Sequence, residues 1–384
     1  MSPPKTYYFD NNATTCVAPE VLEAMLPLLT QWWGNPSSPY RLGREVARQV
    51  TRAREQVAAL VNADPDEIVF TSCGTESINA ALQSALRVAP DKRHVLTTAV
   101  EHSATVKCCA ALEQRGYAVT YLPVGSDGML DLAQLEAAMR PDTALVSVMW
   151  ANNETGLLFP IPEIAARCRR RGVPLHTDAV QAPGKIALDV KAVEVDFLSL
   201  SAHKLYAPKG VGALYLRRKS PFRPYLLGGH QEAGRRAGTE NAAGIVAFGR
   251  AAQLALAQLA SESVRLTALR DRLEQELLER VPGTVRNGAP QPRLPNTTNL
   301  AFLGVEAEAV LLLLDRIGVC ASSGSACTTG SLVPSHVLTA LGLGTERARG
   351  SLRLSLGRYT TEEDVDYLLT HLPRIIARLR EAGS

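Results

Sequence analysis

Two short runs hold the residues best suited to chemistry. Cys327 stands in Ala321-Ser322-Ser323-Gly324-Ser325-Ala326-Cys327-Thr328-Thr329-Gly330, where small neighbours offer a thiol almost no apolar packing. A buried core site is the usual fate of a free cysteine, and this run argues against it. Far upstream, Ser199-Leu200-Ser201-Ala202-His203-Lys204 places a lysine just after an apolar, strand-like stretch. A lysine desolvated in a cleft loses proton affinity and can attack a carbonyl as a free amine. The pair suggests an electrophilic group carried on Lys204 and a nucleophilic sulfur on a mobile loop, with glycines on both sides that permit backbone excursions.

Two further clusters fall where apolar runs end. Cys73-Gly74-Thr75-Glu76 opens a helical pattern, so backbone N–H groups and the Thr75 hydroxyl could hold a phosphate. By itself this motif reads more readily as a plain N-cap at Thr75. In His176-Thr177-Asp178-Ala179-Val180-Gln181, Asp178 could pair with a protonated ring nitrogen and Gln181 could donate to a phenolate. An ordinary helix cap by Asp178 is the plainer alternative.

These residues need a scaffold, and the pattern of the chain supplies one. Short β-rich runs at 67–71, 94–98, 118–122, 144–148, 173–177, 196–200 and 212–216 alternate with helical segments. That alternation predicts an α/β fold with a mainly parallel seven-stranded sheet covered on both faces, its ligands gathered beyond the strand ends. Residues 241–280 have the periodicity of a long bridging helix. Strand-like runs at 298–302 and 351–355 and helical runs at 306–314 and 361–380 predict a smaller α+β unit. The expected division is a large domain at 16–260 and a small one formed by 1–15 and 261–384, the latter carrying Cys327.

Composition narrows the function. A chain of 384 residues with 46% hydrophobic and 21% charged content can bury a large core unaided. Its formal charge of +3 gives no reason to expect nucleic acid or an anionic membrane as partner. Seven cysteines without a C-x-x-C pair suggest neither a zinc site nor a disulfide framework, and no other metal site is expected. No apolar leader follows the N-terminus, and a reducing cytoplasm is the expected setting.

Taken together, the motifs resemble the pyridoxal-phosphate enzymes of fold type I in the class V aminotransferase group. More closely they are similar to the cysteine desulfurases of the NifS/IscS family, leaning toward the nitrogenase-associated NifS branch. The resemblance rests on Asp10-Asn11-Asn12-Ala13-Thr14-Thr15, Gly34-Asn35-Pro36-Ser37-Ser38, Thr71-Ser72-Cys73-Gly74-Thr75-Glu76-Ser77 and Glu101-His102. It continues through Ala151-Asn152-Asn153-Glu154-Thr155-Gly156, the runs holding Asp178 and Lys204, Gly228-Gly229-His230-Gln231-Glu232 and Gly238-Thr239-Glu240-Asn241. The run ending at Cys327 and Ser355-Leu356-Gly357-Arg358-Tyr359-Thr360 complete it. Tyr40 departs from the family, where histidine is more frequent, and Val333 replaces a frequent glutamate.

The resemblance implies a fold of large and small domains, a homodimer and a role for each motif. Lys204 would bind the cofactor as a Schiff base and shuttle the α-proton of L-cysteine. Asp178 would face the pyridinium nitrogen and His102 stack on the ring. Asn153 and Gln181 would meet the phenolic oxygen. Gly74, Thr75, Ser201 and His203 would hold the phosphate, joined by Thr239 from a second subunit. Arg353 would clasp the substrate carboxylate, helped by Asn153 and Asn35. Cys327 would collect the sulfur as a persulfide, with His102 the candidate acceptor for its proton, and pass it to an iron–sulfur scaffold protein. Selenocysteine lyase and other class V lyase or aminotransferase activities remain open from the residues alone, and Cys320 is the next candidate for a reactive thiol.

Overall fold

The computed structural model describes residues 5–323 and 335–383. Cys327, and with it the expected nucleophile and the departure at Val333, lies outside the described residues.

Among the described residues twelve strands form, in chain order: β1 (Tyr7–Tyr8), β2 (Ile68–Thr71), β3 (His94–Thr98), β4 (Ala118–Leu122), β5 (Thr143–Ser147), β6 (Leu175–Asp178), β7 (Phe197–Ser201), β8 (Gly212–Leu216), β9 (Thr284–Arg286), β10 (Thr297–Phe302), β11 (Val319–Cys320) and β12 (Ser351–Ser355). The large sheet has seven of them in the order β2-β8-β7-β6-β5-β3-β4. All neighbours run parallel except β8, which is antiparallel to β2 and β7. The link from β7 to β8 is too short for a crossover helix, so the chain must turn back beside itself. Central strands such as β3, β5 and β7 are buried along their whole length. Helices cover both faces, so residues on both sides of these strands are buried, the polar His94, Thr97, Ser147 and Ser199 among them.

A second sheet, β12-β10-β9, is antiparallel, and β1 pairs in parallel with β11. The N-terminal segment therefore belongs to this smaller layer, with Phe9 packed among Leu300, Phe302, Leu354 and Leu372.

The helix Ala242–Arg280 joins the two layers. Its first half sends Ile245, Phe248 and Ala252 into the core of the large sheet, and its second half sends Leu266, Leu269, Leu273 and Leu277 into the core of the small one. At Gly249 a Cβ would lie 2.6 Å from the Ala53 Cα, so glycine sets how closely this helix meets Arg41–Leu60. It is the one described helix long and apolar enough to cross a membrane, but half of that apolar window is buried inside the protein.

Candidate active site

Five strand ends of the large sheet converge on one cavity of about 230 Å³. After β2 comes the helix Gly74–Val88, whose N-cap is Cys73 in extended backbone. Thr75 thus sits inside the first turn and is not the cap. The leading N–H groups of a helix have no partner within it and favour an anion. A Cβ on Gly74 would stand 2.8 Å from Val180 Cγ2, so only glycine lets this backbone come so close to the turn after β6. Ser201 and His203, at the end of β7, and Thr75 line the same part of the cavity.

Asp178 ends β6 and is buried. Its Oδ1 accepts from the Val180 N–H at 2.9 Å, a local turn that fixes the carboxylate. Burial pushes its carboxyl above the usual range, opposed by His102, the Val180 N–H and Lys204. A carboxylate so placed needs a protonated partner in the cavity.

Lys204 ends the short 3₁₀ turn Ala202–Lys204, and its Nζ donates to the carbonyls of Asn12 (2.5 Å) and Ala13 (2.6 Å). His203 is half-buried, and burial, then the neighbouring Lys204 and Lys209, lower its ring to about 4, so it stands neutral. Its carbonyl accepts from the Thr15 hydroxyl at 2.9 Å. The His203 Nδ1 lies 3.1 Å from the Thr14 hydroxyl, so residues 12–15 form a belt across the base of the cavity that holds both side chains.

His102 caps the helix Ser103–Gln114, its Nδ1 accepting from the Ala104 N–H at 3.1 Å. In the neutral ring the proton then resides on Nε2, which acts as a donor. Burial lowers the ring's proton affinity, Asp178 opposes this, and Lys204 and His336 add to it. The expectation that His102 accepts the Cys327 proton is thereby altered: as capped, its second nitrogen has a hydrogen to give and no lone pair to offer.

Arg353, on β12, is buried, with Nη2 on Asp10 Oδ1 at 2.6 Å and Nη1 on the Asn153 carbonyl at 3.3 Å. Among the described residues its Nε has no partner. The guanidinium is fixed from behind by Asp10 and lines the cavity opposite the large sheet, suited to a carboxylate.

Gly74, Thr75, His102, Asn153, Asp178, Gln181, Ser201, His203, Lys204 and Arg353 thus line a single cavity. Asn35 does not, and Thr239, expected to come from a second copy, lies apart from it. Asn35 is exposed and its Oδ1 accepts from the Ser37 N–H at 2.9 Å, closing a turn in place of lining the cavity. Thr239 is exposed and lines a separate depression with Ser72 and Arg236. Among the other cysteines it is Cys73, not Cys320, that lines the cavity. The Cys320 thiol is pushed up by burial, then by Asp315 and Asp10.

Sequence reasoning gave no role to Asn12, Asp10 or Lys185. Asn12 is the hub: its carbonyl holds Lys204 and Gln181, and its side chain reaches the Asn153 carbonyl (3.1 Å) and Thr297 (2.9 Å). The Asp10-Asn11-Asn12 run was visible, but nothing in it says that its backbone would cross under the lysine.

The chain matches the Aminotransferase class-V family model over residues 7–368. It is 56% identical over 373 residues to a cysteine desulfurase of Nostoc sp. (strain PCC 7120), covering 97% of this chain and 93% of the relative. It is 52% identical over 377 residues to the cysteine desulfurase NifS of Azotobacter vinelandii, covering 98% and 94%. A solved NifS-like protein superposes with a TM-score of 0.92 at 38% identity, covering 97% of this chain and all of that one. The chain belongs to the class-V aminotransferases and, within them, to the cysteine desulfurases.

Members of this family use pyridoxal phosphate, and the residues here fit it. The Gly74 cradle suits its phosphate, the buried Asp178 carboxylate suits its ring nitrogen, and the Lys204 amine suits its carbonyl.

Proposed function

We propose that this protein takes sulfur from L-cysteine, releases L-alanine and leaves the sulfur on Cys327 as a persulfide. One observation carries the reading: an amine, a buried carboxylate, a helix N-terminus and a buried guanidinium with an unpartnered N–H all line one cavity of about 230 Å³.

Bound pyridoxal phosphate supplies an electron sink for the substrate's α-carbon. Gly74, Thr75, Ser201 and His203 hold its phosphate, Asp178 accepts from its ring nitrogen, and Gln181 and Asn153 face its phenolic oxygen. Arg353 binds the substrate carboxylate and so orients the α-carbon toward Lys204. The Lys204 Nζ, aimed by two carbonyls, receives the α-proton and returns one to the carbon skeleton. His102 covers one wall and offers Nε2–H as a donor. The Cys327 thiolate attacks the substrate sulfur: an S–S bond forms, the C–S bond breaks, and its electron pair stays with carbon to be protonated as alanine.

The working unit is a homodimer in which the second copy brings Thr239 to the phosphate. Exposure of Thr239 and of the nearby Tyr225, Leu226 and Leu227 supports this. The acceptor of the persulfide is an iron–sulfur scaffold protein, in a nitrogenase-related route in the cytoplasm, as the likeness to a NifS protein supports.

With L-cysteine and a thiol reductant, the loaded enzyme should yield alanine and sulfide in equal amounts. Lys204→Ala should give neither, and Cys327→Ser should stop sulfide release. Sulfide formation undiminished in the Cys327→Ser protein would overturn the assignment of the thiol.

A further inference from the structure

Behind the Lys204 wall sits a second lysine that the reaction does not use. Lys185 is buried, and its Nζ donates to Gln181 Oε1 at 2.8 Å and Asn12 Oδ1 at 3.4 Å. Among the described residues it forms no ion pair. Its two acceptors are the side chains that shape the cavity next to it.

The Gln181 amide presents an oxygen or an NH₂ depending on which way it turns, and the two ends are nearly the same size. Here Oε1 accepts from Lys185 and Nε2 donates to the Asn12 carbonyl at 2.9 Å. An ammonium has donors only, so it admits no orientation but this one. The Asn12 carbonyl favours the same orientation but is shared with Lys204 Nζ. Asn12 Oδ1 has a further donor in Asn296 Nδ2 at 3.1 Å, whereas Lys185 is the only described donor to Gln181 Oε1.

We propose that Lys185 is a positioning residue for the desulfurase reaction: by holding Gln181 Oε1 away from the cavity it makes Gln181 a donor toward the cofactor's phenolic oxygen. Burial, then the charges of Lys204 and Arg353, lower the Lys185 ammonium to about 7, so the device weakens in mildly alkaline solution. Glu262 and Arg358 line the small cavity on its other side and pair with one another at 2.6 Å.

The inference rests on the cofactor occupying this cavity. The test is the visible absorption band of the loaded, substrate-free enzyme followed across pH, in wild type, Lys185→Met, Gln181→Leu and the double variant, with thermal melting alongside. Lys185→Met should raise the midpoint of the band's pH transition by about one unit. In the Gln181→Leu background the same change should move it much less, because the route through the amide is gone. An unmoved midpoint in Lys185→Met, or an equal shift in both backgrounds, would overturn the proposal, even if melting falls. Absence of any visible band in the loaded wild type would instead defeat the placement of the cofactor, a separate failure.

Discussion

Residue by residue, the cavity is built from groups whose charge is set by burial. Glu101 lies fully buried beside His102, its Oε1 accepting from the Thr98 hydroxyl at 2.8 Å and the Met149 N–H at 2.9 Å. Burial raises its carboxyl to about 8 despite those two bonds, with Asp178 adding to the rise. The folded chain therefore keeps a proton that the unfolded chain releases from about pH 4.5 upward. Its stabilising effect is complete below that value and is lost as pH climbs toward 8. Glu101→Gln mimics the protonated form and should flatten this slope. Thermal melting across pH should find the variant unchanged in acid and several degrees more stable than wild type above about pH 8. A variant destabilised at every pH would contradict this reading. Such residues were the least legible from sequence: Asp178, Lys204 and Arg353 stood out by type and by family motif, while Lys185 and Asn12 act through contacts that only the fold creates.

At the scale of elements, the two layers are joined by Ala242–Arg280 and sealed by polar contacts on its second half. Glu274 on this helix meets Arg293 (2.5 and 2.8 Å), Arg286 (3.0 Å) and the Thr298 hydroxyl (2.5 Å). Burial alone would raise its carboxyl, but Arg293, Thr298 and Arg286 outweigh it and hold it at about 2. This contribution is present in full above the ordinary glutamate value and fades as pH falls toward 2. Glu274→Gln should cost about 3 kcal/mol at neutral pH, since it leaves buried guanidinium charge uncompensated. Denaturant midpoints should separate the two proteins widely at neutral pH and bring them together in acid. Elements of this kind were largely legible: the runs at 94–98, 118–122, 212–216 and 351–355 are strands with those bounds, and the bridging helix begins one residue from its expected start. Strands β6 and β7 end one residue later than expected, which puts Asp178 and Ser201 on the sheet itself. The reversal of β8 was hidden, because direction depends on the length and packing of a connection and leaves no trace in strand composition.

For the whole molecule, the central claim is a division of labour. A cavity between the sheets activates the carbon–sulfur bond, and a thiol elsewhere in the chain takes the sulfur away. The cavity's pieces come from residues as far apart as Asn12 and Arg353, and their convergence follows from the N-terminal segment joining the small layer while crossing the large one. No local pattern encodes that crossing, so the site was legible as a set of motifs and not as a geometry. The most direct test is peptide mass spectrometry after anaerobic incubation of the loaded enzyme with L-cysteine. The account predicts one added sulfur on the peptide carrying Cys327, and none on that peptide in the Lys204→Ala protein. Sulfur found instead on the Cys73 peptide, or on Cys327 without any need for Lys204, would contradict it.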